Sequence, residues 1–306
     1  MTMQLRLGIN TCFAVKRWPR PADWAPLVAD RLKLALVEHS FDLVDLTAGA
    51  AEGEAQTLVD AAAAGGLTIN STFTGLAAYS SNMLLGAEPS TRGAATAWFR
   101  RAIAFTGSIG ATATGGHVGA FSVPDWRSDS RRHERWDDLR NALLDLAEDA
   151  HHHGLKALMV ENLAAAREPS TMAMIRELLT DGDATHVPIR LALDLGHMCV
   201  PGTSGEDRDP YAWLRRLGRS AFEIQLQQSD ESGDHHWPFT PEFNRAGRID
   251  ADRVIDALGE SGVQELALIL EIIPAFEQDD DAVLDGLVAS VDYWSEALSR
   301  RGVLAS

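Results

Sequence analysis

Four residues with oxygen-bearing side chains stand at or near the ends of short apolar runs. Glu161 closes KALMVEN (156–162), Asp194 closes IRLALDL (189–195), Gln227 lies in FEIQLQQSD (222–230) after Gln225, and Glu271 lies in ELALILEII (265–273). The steps between them are 33, 33 and 44 residues, each about one strand-plus-helix unit. If consecutive strands deliver these side chains to one rim, three carboxylates repel unless a cation lies between them. Oxygen donors suit a hard divalent ion, Mg²⁺ or Mn²⁺ first, with Co²⁺ or Zn²⁺ as further options. Taken singly, a strand-end carboxylate is a helix cap or ion-pair partner, and Gln227 an amide that satisfies a buried backbone group. Four such residues ending four consecutive strands favour a metal site.

Positioning them requires a regular scaffold, and the chain alternates β-like runs with amphipathic stretches throughout. Strands are expected at 5–10, 34–40, 67–73, 111–119, 156–162, 189–195, 222–230 and 265–273. Helices are expected at 21–32, up to Gly65-Gly66, and over about 90–106, 131–153, 171–179, 209–217, 250–260 and 280–298. Near-continuous apolar strands separated by helices indicate a parallel sheet covered on the outside. Eight such units favour one closed (β/α)8 TIM barrel over an open sheet. No linker or composition shift divides residues 1–306, so a single domain is expected. In a barrel of this kind the reacting groups sit at the C-terminal mouth.

Of the 306 residues, 45% are apolar, enough for one large core, and the net charge is −17. That charge opposes binding to nucleic acid or an anionic membrane, and no apolar run is long enough to span a bilayer. It does not oppose a small phosphorylated substrate held by a few local cations. Two distant cysteines, Cys12 and Cys199, are too few for a disulfide framework, and the N-terminus lacks a signal-peptide pattern. A cytoplasmic protein is therefore expected. Homodimer and homotetramer both stay open.

The order Glu161, Asp194-x-x-His197, Gln227, Glu271 resembles the xylose-isomerase-like barrels, a family of sugar isomerases and epimerases. The resemblance implies that two Glu, one Asp and a His or Gln hold a divalent metal while the two Glu act as acid and base. Gln227 stands where the tagatose epimerases have His, as in the hydroxypyruvate isomerases. Longer stretches, among them STFTGLAAYSSNML (71–84), DLGHMC (194–199), LQQSDESGDHHWPFTPEFN (226–244) and LEIIPAFEQDDD (270–281), resemble the erythrulose-1-phosphate 3-epimerase branch. That implies a 3-epimerase of a ketotetrose phosphate in tetritol catabolism.

The chemistry agrees with this resemblance. Epimerising a ketose at C3 removes a proton α to the carbonyl and returns one to the opposite face. This needs a Lewis acid for the enediolate and two bases, one on each side. Strands five and eight face each other across the mouth, which assigns Glu161 and Glu271 as the bases. The resemblance makes His197 a contact to a substrate oxygen; packing is its other reading. His117 and Glu168 are further candidates for substrate binding, and Lys16, Arg17, Arg167 and His235 are candidate cations for a phosphate. A dehydratase on the same barrel would use the same metal and bases. A multi-zinc endonuclease is opposed by the acidic charge and the few strand-end His residues.

Overall fold

The protein is described by a computed structural model over residues 3–46, 49–182 and 185–305. Eight strands, β1 (Gln4–Asn10), β2 (Leu36–Ser40), β3 (Thr68–Phe73), β4 (Ala113–Gly116), β5 (Ala157–Glu161), β6 (Ile189–Asp194), β7 (Ala221–Leu226) and β8 (Glu265–Leu270), close into one parallel barrel in chain order. β1 seals it against β8 over six paired positions, from Gln4 opposite Glu265 to Ile9 opposite Leu270. This is the TIM barrel expected from the strand–helix alternation.

Side chains on a strand alternate between faces, and the buried clusters show which face is which. Leu5, Leu7 and Ile9 of β1, Leu191 and Leu193 of β6, Ile224 and Leu226 of β7, and Leu266, Leu268 and Leu270 of β8 share one core with the surrounding helices. Leu158 and Val160 of β5 belong to a second core of the same kind. Each fully buried Leu or Ile contributes about 1.5–3 kcal/mol, so this outer layer fixes the inward register of every strand. The opposite parity then faces the barrel axis, and it holds Glu161, Asp194, Gln225, Gln227 and Glu271.

The strands stop earlier than their apolar runs. β4 covers four residues of the expected nine, and β7 and β8 end at Leu226 and Leu270. The chain leaves the sheet at the mouth while remaining buried there, so hydrophobicity continues where pairing does not. β4 also contains Gly115 at φ +152°, where a Cβ would lie 2.0 Å from the Met159 carbonyl oxygen; this close approach of β4 to β5 needs glycine. The first helix is straight only over Pro21–Pro26 and continues to Arg31 as a wider π turn. Short helices at Val123–Trp126 and Pro241–Ala246 were not expected from the pattern. No helix among the described residues is long and apolar enough to cross a membrane.

Candidate active site

Glu161 is the last residue of β5 and Asp194 the last of β6, while Gln227 and Glu271 lie just beyond β7 and β8. All four are buried. Ligand oxygens of Glu161, Asp194 and Glu271 lie within 4.8 Å of one another. Asn162 joins β5 to β6 at this level: its side chain accepts from the Asp194 N–H at 3.0 Å and donates to the Asp194 carbonyl at 2.9 Å. Asp194 Oδ1 accepts from the Gly196 N–H at 2.6 Å, so Asp194 does hold its own turn as well as facing the site. A Cβ on Gly196 would lie 2.2 Å from the Gln227 amide, which explains the glycine in DLGHM.

Burial of three acids in so small a volume has an electrostatic signature. Burial pushes the Glu161 carboxyl up to about 8, with His197 opposing and Asp194 adding to the rise. Burial, followed by the charges of Asp194 and Glu161, holds Glu271 well above the usual carboxylate range. His197 donates from Nδ1 to the Asn162 carbonyl at 2.7 Å, and its Nε2 faces Asp234 at 3.2 Å. Glu271 Oε2 is buried without a hydrogen-bond partner. An unpartnered carboxylate oxygen among three converging acids is what a divalent cation satisfies, so the residues present fit such an ion. A second group, Asp194, His197 and His236, offers ligand atoms at the same spacing.

Gln227 is where the geometry departs from the sequence expectation. Its Oε1 accepts from Ser229 Oγ at 2.7 Å and the His236 N–H at 2.6 Å. Its Nε2 points to Asp194 (3.1 Å to each oxygen) and to Asp234 Oδ1 (2.7 Å). An amide NH₂ has no lone pair for a cation, so in this orientation Gln227 braces the carboxylates instead of ligating beside them.

The other expected contacts divide into two sets. His197 lies in the site, and His117, fully buried at the end of β4, places Nε2 3.5 Å from Glu168 Oε1. Tyr79 connects these two to the carboxylates: its ring lies 4.6 Å from that of His117, and its hydroxyl donates to both oxygens of Glu161 at 2.7 Å. The candidate phosphate cations are less free. Arg17 is clasped to Asp280 and to the carbonyls of Ala275, Phe276 and Gln278, fastening the loop after β1 to the loop after β8. Exposed Arg167 donates to the Phe121 carbonyl at 2.6 Å. His235 stacks on Trp237 at 3.9 Å and bonds Asp230. Lys16, at φ +64°, places Nζ 3.9 Å from the centre of the Phe276 ring.

Three further residues lie in the site in roles that the sequence did not assign. Tyr79 carries no periodic signal, because it sits in a 3₁₀ turn between β3 and the next helix. Asp234 lies 3.2 Å from His197 Nε2 and from His236 Nε2. His236 reaches the site while its neighbour His235 faces away. His236 sits at φ +49°, a local turn that GDHHW does not announce, so the sequence does not show which His takes the inner side.

Comparison with known proteins agrees with this architecture. Residues 28–288 match the model of the xylose isomerase-like TIM barrel. The chain is 27% identical over 301 residues to D-erythrulose 1-phosphate 3-epimerase of Brucella abortus, covering 96% of both chains. A putative xylose isomerase from Rhodospirillum rubrum superposes with a TM-score of 0.88 at 33% identity, over 95% of this chain and 99% of that one. D-psicose 3-epimerase from Clostridium cellulolyticum shares the fold with a TM-score of 0.72 at 14% identity, over 96% and 99% of the two chains.

Proposed function

The chain belongs to the xylose isomerase-like TIM-barrel family, and on that premise we propose that it is a divalent-metal-dependent 3-epimerase of a ketotetrose phosphate such as erythrulose 1-phosphate. Its class is that of an isomerase, an epimerase acting on carbohydrates. The observation that carries the reading is the meeting of Glu161 from β5 and Glu271 from β8 with Asp194 at one buried point. The substrate class is supported by the named activity of the Brucella relative.

Glu161, Asp194 and Glu271 would hold the ion, Mn²⁺ or Mg²⁺ by the hardness of the donor set. When bound, it supplies Lewis-acid stabilisation of negative charge on the ketose oxygens. The protein's own groups do the rest. One of Glu161 and Glu271 takes the C3 proton from one face, and the other returns a proton to the opposite face. The direction of reaction sets which is which. Tyr79 holds Glu161 in orientation by donating to both of its oxygens. His197, fixed through Asn162, and the His117–Glu168 pair face the substrate hydroxyls. Lys16 is the candidate for the phosphate.

The test is proton NMR of erythrulose 1-phosphate in D₂O with the metal-loaded enzyme. The C3 proton should exchange with solvent as the epimer forms at constant composition, and Glu161→Gln and Glu271→Gln should each abolish turnover. An unsaturated product, or substantial activity in either variant, refutes the two-base reading.

A further inference from the structure

Beneath the rim carboxylates, the barrel interior holds a second pair of acids. Glu38 points inward from β2 and Glu223 from β7, and both are fully buried. Their hydrogen-bond donors all fall on one oxygen of each. Glu38 Oε2 accepts from Asn10 Nδ2 at 2.7 Å and Gln225 Nε2 at 3.1 Å. Glu223 Oε2 accepts from Ser71 Oγ at 2.6 Å and Asn70 Nδ2 at 2.9 Å. The Oε1 atoms of both are buried and receive nothing from any other residue. The two acids lie in the same buried layer, and the charge of Glu223 acts on Glu38.

Two buried acids, each with one oxygen left without a partner, repel unless a proton or a cation lies between them. Among the described residues no Lys or Arg bonds either acid; Arg6 comes nearest, through Asn70 Oδ1 at 3.4 Å. Burial, and then the charge of Glu223, holds Glu38 well above the usual carboxylate range. Glu223 also has two donors from β3 that stabilise its charge. Asn10 links this pair to the rim. The same Nδ2 that donates to Glu38 also donates to Glu271 Oε1 at 3.3 Å, and Asn10 Oδ1 accepts from the Cys12 N–H at 2.8 Å.

We propose that Glu38, bonded to Glu223 through one shared proton, is a positioning residue that fixes the Asn10 amide and, through it, the reacting carboxylate of Glu271. This rests on the reading of Glu271 as one of the two bases. In Glu38→Gln the amide oxygen accepts from Asn10 and Gln225 while the NH₂ can donate to Glu223, so the bonds that fix Asn10 are kept. In Glu223→Gln the amide oxygen accepts from Ser71 and Asn70 while the NH₂ donates to an ionised Glu38, which still accepts from Asn10.

The experiment compares Glu38→Gln, Glu38→Leu and Glu271→Gln as metal-loaded enzymes. Glu38→Gln should keep kcat within about three-fold of the parent, because the replacement is isosteric and fully bonded. Glu38→Leu should lose roughly 10²-fold in kcat with little change in KM, the effect of a misplaced reacting group. Difference infrared spectroscopy should show the carbonyl band of a buried neutral carboxylic acid in the parent and its loss in Glu38→Gln. It should be lost with or without metal.

Glu38→Leu at full kcat, Glu38→Gln as impaired as Glu38→Leu, or no such band, overturns the proposal. If Glu38→Leu does not fold, the activity of Glu38→Gln and the infrared band still decide it. Failure of the base assignment reads differently: Glu271→Gln then stays active, which removes the target of the positioning while the infrared band still reports the shared proton.

Discussion

Removing one oxygen atom, in Tyr79→Phe, tests whether Glu161 is the base that the geometry suggests. The phenol donates to both oxygens of Glu161 at 2.7 Å. Burial and the charges of Glu161 and Glu271 hold Tyr79 well above its ordinary range, so it stays a donor at every working pH. No second donor replaces it. His197 Nδ1 lies 3.4 Å from Glu161, but its proton is committed to the Asn162 carbonyl at 2.7 Å. A hydrogen bond to a charged group is worth about 1.5–3 kcal/mol, and that stabilisation belongs to the ionised form of Glu161. At 1.36 kcal/mol per unit, losing it raises the carboxyl by about one to two units. The sign follows from the bond, since donation by Tyr79 lowers Glu161 and deletion lets it rise. The acidic limb of the kcat/KM profile should therefore move up by about one to two pH units. At a fixed pH below the limb, activity should fall about 10- to 100-fold, and metal content measured in parallel separates this from loss of the ion. A limb that stays in place, with activity within two-fold or so of the parent, would refute the argument however much the melting temperature changed.

Two further expectations concern stability. Without divalent ions, the protein should lose stability as pH rises from about 4.5 to about 8: Glu161 binds its proton up to about 8 when folded but only to about 4.5 when unfolded, so the unfolded state holds fewer protons in that window. Melting with chelator should show this fall and divalent cations should abolish it, whereas a flat or rising profile contradicts the packing of three acids at one point. Gly196→Ala should cost about 1–3 kcal/mol in denaturant titration, because the new Cβ would sit 2.2 Å from the Gln227 amide; unchanged stability would show that the amide is free to move.

Glu161, Asp194 and Glu271 were legible in the sequence because each sits on an apolar strand run whose parity is set by the outer core. Once Leu158 and Val160 face the helices, Glu161 faces the axis. The same logic found the position of Gln227 but not the orientation of its amide. That depends on Ser229 and the His236 N–H, both supplied by an irregular loop. Loops hid the bond of Tyr79 to Glu161, the place of Asp234 and the choice between His235 and His236 for the same reason: they have no period to read. Arg17 shows the opposite error, a cation near the mouth that serves as a clasp because Asp280 and three carbonyls meet it there. Glu38 and Glu223 were visible as acids within apolar strands, yet their pairing depends on β2 and β7 facing each other across the axis, which only barrel closure provides.

The two layers of buried acid call for different solutions to one electrostatic problem. At the rim, three carboxylates converge and Glu271 Oε2 lacks a partner, an arrangement that a cation completes. In the layer below, one proton shared between the two acids suffices. Asn10 stands between the layers and donates to both, to Glu38 at 2.7 Å and to Glu271 at 3.3 Å. An amide has no titrating proton, so it can orient Glu271 without passing a proton to it from below. For a reaction that must deliver a proton to one chosen face of C3, this separation matters. An Asp or His at position 10 would connect Glu271 to the proton held by Glu38, and the base could then be reprotonated from below as well as through its own exchange with substrate. Asparagine supplies the orientation and withholds the proton.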